Sequence, residues 1–559
     1  MRRALALLAL AAVPTAVLAV FFVLPVGGMV QHGLWPDGRF DPGAVWRVLA
    51  ESRTRRVLWF TVWISAVATV VAVALGVPAA FVTHRLRFPG RGLVRAALLV
   101  PFVLPTVVVG VAVEQLLGES GPLGFLGLDG TAGAILVGLV FFNLAVVIRT
   151  VGVAWEALDR RPAEAAAALG ASPPRVLLTV TLPALRPAIV SAASVVFLFC
   201  ATGFGVVLTL GGLRYSSVET EIYLLTTGGV TGFPELSAAA ALSLVQLVAV
   251  VALLVVAGRL RATPDPTVRR VPATPARPRP RDVPVLALTA VVLAALAAPI
   301  ACLVVSSLRH DGHWTLAYYR ALQGRGDDVG AGVSGGLGGG LLRVPITEAV
   351  TNSLAIGLVA TGTALVLGLL VAVVVTRRSH GRLERRLRGL FDGLFMVPLG
   401  VSAVTLGFGF LITLDRPPLD LRGSPLLVPI AQALVALPMV VRILVPVLAG
   451  IDDRQRQAAA SLGAGPWRTA LTVEAPVLWR PLLAAAGFAF AVSLGEFGAT
   501  SFLVRPEAPT LPVVIYRLIG SPGALNYGAA MAASVVLAAT ATVVVLVIER
   551  LRVPGVGAL

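Results

Sequence analysis

An all-α integral membrane protein of about twelve transmembrane helices, in two tandem six-helix repeats, is the fold class this sequence predicts. Composition, the length of the apolar blocks and an internal duplication predict it. Of 559 residues, 57% are hydrophobic and 13% charged, whereas soluble domains carry roughly 25% charged residues. Mean hydropathy is +0.90, so the chain is matched to lipid rather than to water. Its apolar residues fall in blocks long enough to cross a ~30 Å hydrocarbon core, which takes about 20 helical residues.

Six such blocks, at 4–30, 57–82, 93–117, 132–152, 187–211 and 236–258, make the first half. Another six, at 284–307, 346–376, 390–413, 425–449, 481–505 and 525–548, make the second. The first block opens with Arg2 and Arg3 and resembles a signal peptide in its charge, but its apolar run continues to about Val30 without a small-residue cleavage site, so it reads as a retained helix. Cys200 and Cys302 lie inside blocks and no feature pairs them, which makes them packing residues.

A formal charge of +17 raises nucleic acid as a partner, but the arginines track membrane ends instead of forming one face. Arg85, Arg87, Arg91 and Arg95 follow the second block, and Arg377, Arg378, Arg382, Arg385, Arg386 and Arg388 follow the eighth. The connection 118–131 holds Glu119 and Asp129 and no basic residue. By the positive-inside rule both termini are expected in the cytoplasm, in a multi-pass protein of the cell membrane. The segment 31–56, expected outside, departs from the rule with Arg39, Arg47, Arg53, Arg55 and Arg56.

Residues 259–283 mix proline with arginine, which disfavours both helix and apolar burial, and read as a cytoplasmic linker between halves 1–258 and 284–559. The glycine-rich run 331–340 reads as a flexible loop. The halves repeat one another: an offset of 293 residues aligns 165–186 with 458–479 at 13 of 22 positions without a gap. The same offset sets Phe204 and Gly205 on Phe497 and Gly498, and Ile222 and Tyr223 on Ile515 and Tyr516. Repeats with the same membrane orientation are related by an axis along the membrane normal and leave a shared pathway between them.

The strongest agreement lies in a connection facing water, at 164–183 and 457–476, where packing gives no reason for similarity. An alanine-rich helical stretch is followed by Gly170 or Gly463, which permits a chain reversal, and then by Pro183 or Pro476, expected to begin the next membrane helix. This pattern resembles the EAA loop of type I permeases of binding-protein-dependent ABC importers: EAA, a glycine, and a proline thirteen residues beyond the glycine, a spacing kept in both copies. The resemblance makes Glu164, Ala165, Ala166, Gly170 and Pro183, with Gln457, Ala458, Ala459, Gly463 and Pro476, the ATPase-coupling residues. Gln457 stands where the motif has glutamate, and Ala475 where it has leucine.

Glu496, in SLGEFGATSF, is a carboxylate within an apolar block, hence either a pathway group or a cap between helices. With Phe497 and Gly498 it resembles the segment that sulfate, molybdate, ferric iron and thiamine permeases carry beyond the EAA loop. Its first-half counterpart is Gly203, Phe204 and Gly205, without an acid. Fused halves resemble the thiamine and ferric iron types, and RFPGR (87–91), LVFFNL (139–144), VLTLGG (207–212), VETEIY (218–223) and TLPVVIYRLIGS (510–521) are closer to the thiamine type. Glu114, Gln115, Asn143, Gln246 and Gln432 read as bonds between helices rather than pathway groups. His310 and His313 lack the further ligands a metal needs.

All 45 basic residues are arginine, so the glycine-rich phosphate loop ending in lysine is excluded. The resemblance implies a permease with no catalytic residues, metal or bound cofactor of its own. ATP would be used by two copies of a cytoplasmic ABC ATPase subunit, and an extracytoplasmic solute-binding protein would deliver thiamine or ferric iron. An ion-gradient transporter with parallel repeats and a non-transporting scaffold remain the alternatives from the residues alone.

Overall fold

The computed structural model describes residues 2–35, 38–41, 43–98, 100–212, 214–229, 232–260, 276–310, 312–323, 345–377, 386, 389, 391, 393–395, 401–415 and 419–551. For 2–9, 257–260 and 548–551 it describes the backbone alone. The core of the expected linker, the run 331–340 and Arg378, Arg382, Arg385 and Arg388 lie outside the described residues.

In chain order the first half contributes α1 (Leu10–Leu34), α2 (Ser52–Arg85), α3 (Thr106–Leu117), α4 (Ala132–Glu156), α5 (Arg161–Ala168), α6 (Pro173–Ala201), α7 (Val218–Thr227) and α8 (Leu236–Leu260). The second contributes α9 (Val283–Ser307), α10 (Ile346–Thr376), α11 (Ala403–Thr413), α12 (Leu427–Ala449), α13 (Asp453–Ser461), α14 (Pro466–Gly495), α15 (Leu511–Ile519) and α16 (Ala524–Leu551). Ten helices among the described residues are long and apolar enough to span a bilayer. The expected span at 93–117 is a pair of helices, Arg91–Val103 and α3, bent by 104°. The bend falls at Leu104 and Pro105, where proline lacks a donor and forces its predecessor out of helical geometry. The block 390–413 is described in part, and α11 is its helical end.

Two other expected spans differ from the structure. The blocks 187–211 and 481–505 are not single helices: α6 stops at Ala201 and a short helix resumes at Phe204, while α14 stops at Gly495 and helix resumes at Thr500. Hydropathy stays high across both breaks, but Gly203 and Glu496 leave helical backbone geometry, so apolar continuity hid an interruption of the helix.

Contacts group the chain into two compact units, 50–221 with 248–306, and 1–49 with 222–247 and 307–559. Each has the same three-helix nucleus, α2 with α4 and α6 in one, α10 with α12 and α14 in the other. A glycine sits at a close crossing in each. A Cβ on Gly76 would lie 2.7 Å from Val147, and one on Gly368 would lie 2.5 Å from Val440. Small residues allow this approach, which matters in lipid because dispersion between helices replaces the hydrophobic drive. The helices opening each half are peripheral: protein covers 22% of the apolar stretch of α1 and 28% of that of Pro280–Ser307, against 61% for α4 and 72% for α12. In the larger unit α1 packs on α10 and α11.

The short helices α7 and α15 begin alike. Val218 N–H donates to Thr61 Oγ1 of α2 at 3.0 Å, and Leu511 N–H donates to Ser353 Oγ of α10 at 2.7 Å. Each hydroxyl takes one of the donors a helix start leaves free. Gly76→Val and Gly368→Val are each expected to destabilise by about 1–3 kcal/mol through overpacking, read as a lowered Tm of the purified chain in detergent; an unchanged Tm for both would mean that these crossings do not limit packing.

Candidate functional site

The two repeated loops fold identically. Helices α5 and α13 end in a residue of left-handed backbone, Gly170 at φ 86° and Gly463 at φ 81°. Ala171 N–H donates to Ala166 O at 3.1 Å and Gly170 N–H to Ala167 O at 3.0 Å. In the second copy Ala464 N–H donates to Ala459 O and Gly463 N–H to Ala460 O, both at 3.0 Å. This pair of bonds is a Schellman motif, whose left-handed position favours glycine, and it satisfies carbonyls that the helix end orphans. The EAA pattern therefore has a backbone meaning: its third residue supplies the carbonyl that the post-glycine amide caps.

Pro183 and Pro476 stand in the first turn of the α-helical segments Leu182–Ala201 and Ala475–Gly495, as the spacing predicts. Each segment is extended on its N-terminal side by a π-turn, at Leu177–Thr181 and Ala470–Glu474, and by a short helix, so that α6 and α14 reach back to Pro173 and Pro466. The wide turn makes this continuity possible, since it moves the preceding carbonyls away from a ring that would break an ordinary α-turn. Each loop is thereby joined without interruption to a membrane helix.

Glu164, Ala165, Gln457 and Ala458 are exposed, Ala166 and Ala459 half-buried, and Pro183 and Pro476 exposed. The apolar residues are the unusual ones. Leu169 is 90% exposed and Leu462 87%, at equivalent positions before the two glycines, and Leu178 and Leu471 form a second exposed matched pair. Apolar side chains clustered on a surface and repeated in two copies mark an interaction site.

At the second helix break, the buried Glu496 accepts from Ala499 N–H at 2.7 Å and Thr500 N–H at 3.0 Å, and also from the Thr500 hydroxyl. Its carboxylate thus supplies the acceptors that the start of Thr500–Leu503 needs. Phe497 is buried beside Tyr516, ring centroids 5.4 Å apart. Gly498 packs on the start of α11, where a Cβ would meet Val404 N at 3.2 Å, and Gly205 packs on Thr106 and Val107 at the start of α3. Phe204 is buried as the first residue after the other break. The coupling-loop candidates come together within each loop, and the pathway candidates come together at each break.

Residues 72–270 and 364–556 match the family described as binding-protein-dependent transport system inner membrane component. The chain belongs to this family. It is a multi-pass transmembrane permease of an ATP-driven importer and not an enzyme, and such a permease works with an ATPase and a substrate-binding protein. It is similar to a thiamine transport system permease protein of Brucella abortus, 27% identical over 83% of this chain and 82% of the relative. The thiamine transport system permease protein of Salmonella typhimurium is 27% identical over 87% of each chain. A probable ABC transporter permease of Sinorhizobium fredii is 25% identical over 95% of this chain and 94% of its own.

Several polar residues of the permease are structural. Asn143 donates to Leu139 O at 3.0 Å and reaches Cys200 Sγ at 3.4 Å; Thr405 donates to Gln246 at 3.3 Å; Gln432 donates to Thr500 at 3.3 Å. His310 Nδ1 meets the Tyr318 hydroxyl at 2.9 Å, and His313 is exposed. Two of the arginines that break the positive-inside pattern are ion-paired, Arg47 with Asp41 and Arg53 with the buried Glu221.

Sequence reasoning missed three features. Glu156 ends α4 and accepts from Arg91 at 3.0 Å and from Arg95, while the same arginines donate to the last carbonyls of α2 on Thr83 and His84 at 2.8–2.9 Å. The RFPGR string is thus a staple of two helix ends. Arg149 and Arg442 sit half-buried inside spans, 293 residues apart; an arginine within an apolar block was itself the signal. The third is Glu474, the acid of the second repeated loop where the first has Thr181.

Glu496→Leu leaves two buried N–H groups without acceptors, at about 1–3 kcal/mol each, whereas Glu496→Gln keeps one acceptor oxygen. The leucine variant is expected to lower Tm in detergent clearly more than the glutamine variant; equal Tm values for the two would show that capping is not the role of this carboxylate.

Proposed function

We propose that this chain forms the pathway of a thiamine importer, with two copies of a cytoplasmic ATPase, one docked on each of α5 and α13, and both termini in the cytoplasm. The observation that carries the coupling is the paired, exposed, glycine-terminated helix, whose Leu169 and Leu462 are nearly free of protein contact. A docked cleft would remove that apolar surface from water, at about 25 cal/mol per Å². Continuity from each loop through a π-turn into α6 and α14 lets displacement of the loop move a helix that ends at a pathway break. Thiamine is supported by the relatives' names, which give that substrate for permeases aligned over most of both chains. It is also supported by aromatic rings beside the second break, Phe497 with Tyr516 and Phe502 with Tyr223, which suit a flat cation.

Uptake of labelled thiamine and of ferric iron tests both parts, in cells carrying the wild-type chain or Gly170→Val with Gly463→Val. A β-branched residue at these φ values costs about 1–2 kcal/mol per loop or more. Thiamine uptake by the wild type, lost in the double variant while the protein still reaches the membrane, is the expected result. Iron uptake instead would reassign the substrate, and undiminished uptake in the double variant would overturn coupling through the loops.

A further inference from the structure

We propose that Glu474 is a positioning residue that braces the second coupling loop, and that the first loop has no such brace, so the permease receives force through two loops of unequal stiffness. This rests on the reading of α5 and α13 as the docking helices. Glu474 closes the π-turn of α14 and is 4% exposed. Its Oε1 accepts from Arg456 Nε at 2.9 Å, and its Oε2 faces Arg377 Nη2 at 3.4 Å. Arg456 lies on the coupling helix α13, and Arg377 directly follows α10, so one carboxylate ties three segments together.

Arg456 reaches further. Its Nη1 donates to Asp453 Oδ1 at 3.0 Å and to Ile451 O at 3.4 Å, and its Nη2 donates to Leu448 O at 3.2 Å. The guanidinium therefore holds the start of α13, the last turn of α12 and the π-turn of α14 in one charge-assisted network. The Arg456 side chain is 20% exposed and that of Glu474 6%, so solvent screens this pair far less than a surface pair. Removing Glu474 would leave Arg456 with Asp453 and two backbone carbonyls, none of them on the π-turn, and so would untie α13 from α14.

None of this can form in the first copy. The offset of 293 residues that superposes the Schellman glycines and the π-turns places Ala163 at the position of Arg456 and Thr181 at that of Glu474. Alanine has no donor and threonine no carboxylate. The backbone of the loop is duplicated, and its electrostatic brace is not.

Hydrogen exchange on the full-length permease in lipid nanodiscs measures the difference without any partner. The amides of 453–461 are expected to exchange about ten-fold more slowly than those of 161–168. Glu474→Gln and Glu474→Leu should bring the two helices to within about two-fold, and Glu474→Asp should retain part of the protection. The reverse graft, Ala163→Arg with Thr181→Glu, should slow exchange in 161–168. Equal exchange in the wild type overturns the proposal, as does a difference that survives both Glu474→Gln and Glu474→Leu. If those variants fail to insert, the graft decides, and a graft without effect on 161–168 overturns it.

The assembled importer in proteoliposomes supplies the functional half. Glu474→Gln is expected to lower thiamine uptake per ATP hydrolysed while the ATPase remains bound, a ratio that the amount of folded permease does not move. An unchanged ratio means the brace does not serve coupling. A wild-type importer that takes up no thiamine would sink the substrate assignment and leave the exchange result standing.

Discussion

Within a bilayer every backbone N–H and C=O must find its partner inside the protein, and this requirement organises the whole molecule. Straight helices meet it by themselves. Wherever the chain stops being helical, some other group has to take over, and several such places among the described residues have an identifiable one. Glu496 supplies acceptors at the second break, Thr61 and Ser353 receive the first amides of α7 and α15, and Arg91 and Arg95 close the carbonyl end of α2. The same rule governs the loops, where the post-glycine amides cap α5 and α13 from within. Several polar residues that look costly in an apolar sequence are thus what permits the chain to leave helical geometry.

The duplication makes it possible to separate what the fold requires from what has diverged. Both copies keep the left-handed glycine, the π-turn, the proline after it, the glycine contact between the long helices, and the hydroxyl that starts the short helix. Each of these is a backbone or close-packing demand that few side chains can meet. Several acids are not kept: Glu164, Glu156 and Glu221 belong to the first copy, and Glu474 and Glu496 to the second, with Gln457, Ala449, Val514, Thr181 and Gly203 at the matching positions, although Arg149 and Arg442 are a matched pair. Backbone geometry is shared more fully than the placement of acids.

Much of this was legible in the sequence, and the physical reasons for the failures are specific. Hydropathy marks ten spans that the structure shows, because lipid exposure demands long apolar runs. It could not see the breaks at Gly203 and Glu496, since the residues around them are as apolar as those of a straight helix. The glycine and proline of the repeated loop are readable as a motif, with Pro183 in the first turn of Leu182–Ala201, but ordinary helix rules give no sign of the π-turn that precedes it. Composition gave the arginines a single topological role, whereas Arg91 and Arg95 cap a helix and Arg53 neutralises Glu221. Pairings across long stretches of sequence carry no local signature, so nothing in the sequence singles out Glu156 or Glu474.

The asymmetry between the loops bears on how a fused permease differs from an assembly of two identical subunits. With two identical halves, identical ATPases docked on them would meet equal resistance, and nothing in the permease would order their action. In a single chain each loop can be tuned alone. On the proposed reading, a braced helix such as α13 would pass displacement to α14 with little lost in its own deformation, while α5, which lacks the Glu474 brace, would absorb part of the stroke before α6 moves. The half that follows its ATPase closely is then also the half whose break carries Glu496, so the stiffer linkage leads to the more polar of the two breaks. Covalent fusion is what allows that difference to be fixed in the chain, because the braced loop and the acidic break can no longer be separated by reassortment of subunits.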